Sequence, residues 1–183
     1  MSRMTDVDEP RAIEVRVREV AQLFNSLDPS PFHERDLDDD AEDFIVGSAR
    51  ELGHDGPIRI VVHLPATQAE AAAERGLEVA LQNFFAYRAD RIARNLRALF
   101  KTGRRHLMIG LPLLAACLVA SQTLGKLLGD HPWSRVIEES FIILGWVANW
   151  KPLEIFLYDW WPIKRDLDLY RRLAKARVEI RTA

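Results

Sequence analysis

Lys151 and Glu154 stand three positions apart inside an otherwise apolar stretch. On a helix that spacing puts both side chains on one face, where they can pair. Ionisable groups within a membrane are costly, and they mark proton relays, ion paths or subunit contacts. The structural reading instead sets Lys151, Glu154 and Asp159 at a membrane interface, with the long side chains snorkelling to water. Four tryptophans, Trp146, Trp150, Trp160 and Trp161, surround them. Trp146 and Trp150 are four apart and share a face, as helix-packing aromatics do, while Trp160 and Trp161 fit an interfacial aromatic belt.

Other candidate chemistry is sparse. His33, Asp36, Asp38, Asp39 and Asp40 could gather round a cation, but no glycine and glutamate fall at the EF-hand positions, so a solvated, charged helix start is expected. The motifs GxSxG, Walker A, HExxH and the dinucleotide fingerprint are missing from the sequence. Cys117 is the single cysteine; it can form no intramolecular disulfide and belongs to no zinc-type cluster. The sequence therefore names no catalytic residue, no metal ligand and no cofactor. An enzyme using the carboxylates of the acidic N-terminal part ranks third among the functional readings.

The elements that would position these groups begin with Leu107 to Gly125, nineteen residues without a charge. That length suits a helix crossing a hydrocarbon core of roughly 30 Å. A second apolar stretch follows from Ser140 to Trp150 and continues less cleanly to Ile163. Together they predict a membrane α-helical hairpin of two transmembrane helices carrying a small cytoplasmic α+β head of about three strands with a long neck helix. The expected divisions are a disordered N-terminus (1–11), an acidic α/β head (12–66), a basic neck helix (67–105), transmembrane helix 1 (106–126), an exterior loop (127–135), transmembrane helix 2 (136–161) and a cytoplasmic tail with a short helix and a third strand (162–183).

Within the head, Ile13 to Arg18 alternates apolar and charged residues, the period of a half-buried strand. Ile58 to Leu64 is rich in β-branched residues and predicts a second strand, and Arg177 to Arg181 a third. Between the first two, Glu34 to Leu52 reads as a helix with acidic residues at its start and Gly53 as its stop. Thr67 and Glu70 have capping-box spacing and predict the start of the neck helix, in which Gly76 is only a weak point.

Charge is distributed unevenly along the chain. Residues 1–55 hold 15 Asp/Glu against 6 Lys/Arg, a net of −9, whereas residues 56–135 carry a net of +6. The acidic end argues against nucleic acid as a partner. Lys101, Arg104 and Arg105 before the first span, and Lys164 and Arg165 after the second, are candidates for lipid head-group contact. Arg88 and Arg91 lie further off and would meet solvent or a protein partner, such as the acidic helix around Asp38 to Asp43. Basic residues flank the hairpin on one side only, so both termini are expected in the cytoplasm. No secretory signal is legible near Met1, and the first span would itself direct insertion.

The segments Leu23-Phe24-Asn25-Ser26-Leu27-Asp28-Pro29-Ser30-Pro31-Phe32 and Tyr158-Asp159-Trp160-Trp161-Pro162-Ile163 resemble those of small bacterial inner-membrane proteins with two transmembrane helices. The resemblance implies an inner-membrane, multi-pass location and supplies no activity. The functional expectation is a non-catalytic anchor, interaction or assembly subunit, with the lipid bilayer and a homo-oligomer or larger membrane complex as partners. The alternative is an oligomeric pore or transport element using Lys151 and Glu154.

Overall fold

The computed structural model describes residues 12–53, 56–129 and 131–182. The expected disorder of residues 1–11, and Asp130 in the expected exterior loop, lie outside them. The chain is mostly helical, with a small parallel sheet and one long apolar helix. It divides into two compact units, one of residues up to Ile92 together with those from Arg165 onward, the other of Ala93–Lys164.

The first unit is built on strands β1 (Ala12–Arg16), β2 (Arg59–Leu64) and β3 (Arg177–Thr182), all parallel, with β2 in the middle. Alternation decides which side of each strand is covered. Ile13 and Val15 of β1 face the core with Ile60, Val62 and Leu64 of β2, while Glu14 and Arg16 face away. Parallel neighbours need a crossover. The first runs through a single 3-10 turn at Val20–Leu23 and helix α1 (Asp39–Glu51). Asp38 caps α1 by accepting from the Asp40 N–H at 3.1 Å, and Gly53, at φ 86, ends it in the left-handed region. The second crossover comprises all the remaining helices.

Helix α2 (Ala66–Glu74) starts one residue before the expected Thr67 cap. The Pro65 carbonyl accepts from the Gln68 and Ala69 N–H groups, so proline starts the helix and Thr67 falls inside it. The neck is also not continuous from residue 67. Gly76 adopts φ 73, and a Cβ there would stand 2.9 Å from the His33 ring. A positive φ and a close neighbour together make Gly76 a break rather than a weak point.

From there α3 (Leu77–Leu128) runs for 52 residues, about 78 Å. The expected neck, from Leu77 on, and the first span lie on this one helix, which passes through Pro112 unbroken. Leu77, Leu81, Phe85, Leu169 and Leu173 close the core over the sheet. Helix α4 (Ser134–Glu154) leads through one π-helical turn (Ile155–Asp159) into α5 (Trp160–Leu173), so the expected second span and tail helix form one helical run.

Candidate functional site

The second unit is an antiparallel pair made by the later part of α3 and by α4. On α3 the inward positions are Gly103, Leu107, Gly110, Leu114, Cys117, Ser121 and Leu124. They alternate steps of four and three residues, the 3.5-residue repeat of a coiled-coil seam. Glycine allows the closest approach at three contacts. A Cβ on Gly103 would stand 2.9 Å from Ile155 Cγ2, one on Gly110 2.6 Å from Asn149 Oδ1, and one on Gly145 2.7 Å from Leu114 Cδ1. Small residues let the helices approach closely enough for polar groups to bond across the seam. Asn149 Nδ2 donates to Gly110 O at 2.9 Å and to Gly145 O at 3.0 Å. Its Oδ1 is buried and finds no hydrogen-bond donor among the described residues. Nearer the turn, the Ser134 hydroxyl donates to Gly125 O at 3.4 Å.

These contacts fix a register along the pair. Gly110 meets Asn149, and Gly103 meets Ile155 and Phe156. Glu154 therefore lies level with Arg104 and Arg105, and Lys151 level with Leu107, where the uncharged run begins. Lys151 Nζ stands 3.1 Å from Glu154 Oε2 and 3.6 Å from Asp159 Oδ2. The π turn brings in Asp159, a residue absent from the sequence-based pair. All three side chains are at least one-third exposed.

The outward faces are apolar. Met108, Ile109, Leu111, Val119 and Leu127 on α3, and Ile143, Val147, Trp146 and Trp150 on α4, are each more than half exposed. Trp146 and Trp150 thus point away from the seam. Trp160 lies nearer it, beside Phe100 (centroids 6.3 Å apart), and donates from Nε1 to Phe156 O, while Trp161 is exposed. Lys101, Arg104 and Arg105 are exposed on α3, Arg165 is exposed on α5, and Lys164 beside it is half-buried. Cys117 is buried and free, close to Gly145. Among the described residues, α3 alone is long and apolar enough to cross a membrane, by length and composition, and 17% of its most apolar window is buried inside the molecule.

In the first unit a buried carboxylate, Glu42, joins three helices. Arg88 of α3 donates to Glu42 Oε2, and Tyr170 of α5 donates to Oε1 at 2.8 Å. The expected meeting of Arg88 with the acidic helix is thus made within the chain. Burial, with the Glu42 carboxylate next, pushes the Tyr170 phenol well above its ordinary pKa. In the loop before α1, the Ser30 side chain and the backbone N–H groups of Asp36 and Ser30 hold the Asp28 carboxyl down at about 2. These bonds fold the loop back on itself, and among the described residues no group of histidine, cysteine and carboxylates could hold a metal.

Sequence reasoning missed Asn149, the glycine seam and Tyr170. Gly103, Gly110 and Cys117 recur every seven residues, a signal open to reading. Asn149 is the one amide between Ser140 and Trp150. Tyr170 carried no such mark, since its partner lies 128 positions away. No protein family, curated protein or solved structure matches this chain.

Proposed function

We propose that this chain is an integral membrane protein whose helical pair inserts as a two-span hairpin and holds the α/β unit at the inner membrane surface, as a non-catalytic anchor or assembly subunit. The observation that carries this reading is the apolar outer surface of both helices. Leaving a large apolar side chain in water rather than buried forfeits about 1.5–3 kcal/mol. Nine such side chains, each more than half exposed, amount to on the order of 10 kcal/mol. That rivals the whole stability of a domain, about 5–15 kcal/mol. Lipid removes the cost.

The path of the chain supports an even number of crossings. β3 follows the helical pair in sequence yet hydrogen-bonds to β2, which precedes it. A sheet assembled from both sides of the hairpin requires both ends of the hairpin on one side of the bilayer. The flanking basic residues, Lys101, Arg104, Arg105, Lys164 and Arg165, favour the cytoplasmic side and contact with anionic head groups. Lys151, Glu154 and Asp159 then read as an interfacial ion cluster, which favours the anchor over the pore.

The test is insertion. The chain should resist alkaline extraction from membranes and float with liposomes. Ile143→Arg with Val147→Arg should abolish this, since each central charge costs about 2.5–3.5 kcal/mol. Release of the unaltered chain by alkaline carbonate would defeat the proposal. If insertion holds, the stoichiometry of the detergent-solubilised particle separates a mixed complex, expected for a subunit, from a ring of identical chains.

A further inference from the structure

Among the described residues, the helices of the α/β unit pack on one face of its sheet, the face of Ile13, Val15, Ile60, Val62 and Leu64. Its other face carries three in-register rows: Arg59 with Arg177, Glu14 with Val61 and Glu179, and Arg16 with His63 and Arg181. Parallel sheets almost always have both faces covered. Among the described residues, this one is also short of carboxylates. Glu179 is shared among Arg59, Arg177 and Arg181 at 3.6, 3.7 and 3.6 Å. Glu14 is shared by Arg16 and His63 at 3.7 and 3.8 Å. Two carboxylates therefore serve four arginines and a histidine. Buried Arg59 Nε and His63 Nε2 find no hydrogen-bond acceptor among the described residues. Beneath them Val61 is 1% exposed although it lies outside the main core.

The same unit carries the complement on its opposite side. Helix α1 turns Ile45, Val46 and Ala49 into the core on the covered face of the sheet, so its exposed side looks away from the sheet. There Asp39, Asp40 and Asp43 are exposed around Phe44, with Glu34 and Asp36 in the preceding loop.

We propose that this arginine-rich sheet face receives the acidic α1 surface of a second copy of this chain. The carboxylates of α1 meet Arg16, Arg177 and Arg181, each more than half exposed, and relieve the crowding on Glu14 and Glu179. Phe44 supplies an aromatic face for an arginine. The two surfaces differ, so the contact is heterologous and extends into a ring or a row. The inference rests on the proposed anchoring for one feature: copies held in one membrane plane have a raised effective concentration.

Two charge reversals test it in the full chain reconstituted into liposomes, with differently tagged copies joined by a short amine-independent crosslinker. One variant carries Arg16→Glu and Arg181→Glu; the other carries Asp39→Lys and Asp43→Lys. Each alone should lower crosslinking between copies by about tenfold. The two mixed together should restore it, because each reversed face then meets its opposite. Raising the salt from about 0.05 to 0.5 M should weaken the wild-type contact. Circular dichroism of each variant guards against unfolding, and the Arg16→Gln, Arg181→Gln variant should give an intermediate loss. Wild-type copies that float with liposomes yet do not crosslink would overturn this inference alone. So would reversals without effect, a mixture no better than its parts, or capture of a different acidic protein while the copies stay apart. Loss of flotation by the wild type would instead overturn the anchoring.

Discussion

Asn149 donates across the seam from a position where its own Oδ1 goes unmet, so its replacements separate two effects. Asn149→Ala removes the bond to Gly110 and should destabilise the helical pair by about 0.6 kcal/mol, the average for bonds between membrane helices, and by no more than about 1.7 kcal/mol. Gly110→Ala should cost more. Its Cβ would stand 2.6 Å from Asn149 Oδ1 and 3.3 Å from the Ala148 carbonyl oxygen, so the Asn149 side chain must leave the clamp and the Ala148 backbone must give by a few tenths of an ångström. Thermal unfolding in detergent, followed by proteolysis of the pair, ranks the two; equal losses would show that the close approach is not needed. Tyr170 offers a pH test. Its phenol is raised in the folded state, so its contribution is complete below the unfolded value of 10 and is lost as pH rises toward the folded value. Tyr170→Phe should cost about 1 kcal/mol at neutral pH, for one hydrogen bond to a carboxylate that keeps Arg88. The gap between wild type and variant should narrow above about pH 10, read by denaturant melts at several pH values. Asp28 works in the acid range with the opposite sign. Its depressed pKa contributes stability above 3.8 that fades as pH falls toward 2.

At the scale of elements, β3 is an edge strand that nevertheless closes the core. Truncation before Arg177 removes Val178 and Ile180, both packed on the core, and uncovers the edge of β2. The α/β unit of that variant should become protease-sensitive while liposome flotation persists; a unit as resistant as the full chain would show that β3 is dispensable. Element types were legible because each follows a local period. The alternation at Ile13–Arg16 and the β-branched run before Leu64 appear where periodicity puts them, whereas the helix expected over Glu34 to Leu52 forms over Asp39–Glu51. Boundaries were less legible where a neighbour intervened. Gly76 became a break because His33 packs on it, and the π turn at Ile155–Asp159 faces Gly103 and Phe100. Neither neighbour is close in sequence.

At the scale of the whole molecule, the proposed topology makes a labelling prediction. In intact cells, cysteine at His131 should react with an impermeant thiol reagent and cysteine at Ser48 should not, each introduced in a Cys117→Ala background. Reaction of Ser48→Cys alone would reverse the orientation. By itself the sequence determined the uncharged run from Leu107 to Gly125, the three strand segments, the acidic N-terminal part and the basic middle, and the short spacing of Lys151 and Glu154. These are properties of composition and local period, and hydrophobic burial acts on them whatever the partner. Only the tertiary structure decided the strand order β1-β2-β3, the register that sets Glu154 level with Arg104 and Arg105, the Asn149 clamp and the meeting of Arg88 and Tyr170 on Glu42. Those contacts join residues 39, 46 and 128 positions apart. Such pairings are chosen by packing the whole chain at once, through close approach at glycine and the need of each buried polar group for a partner, and no local pattern encodes them.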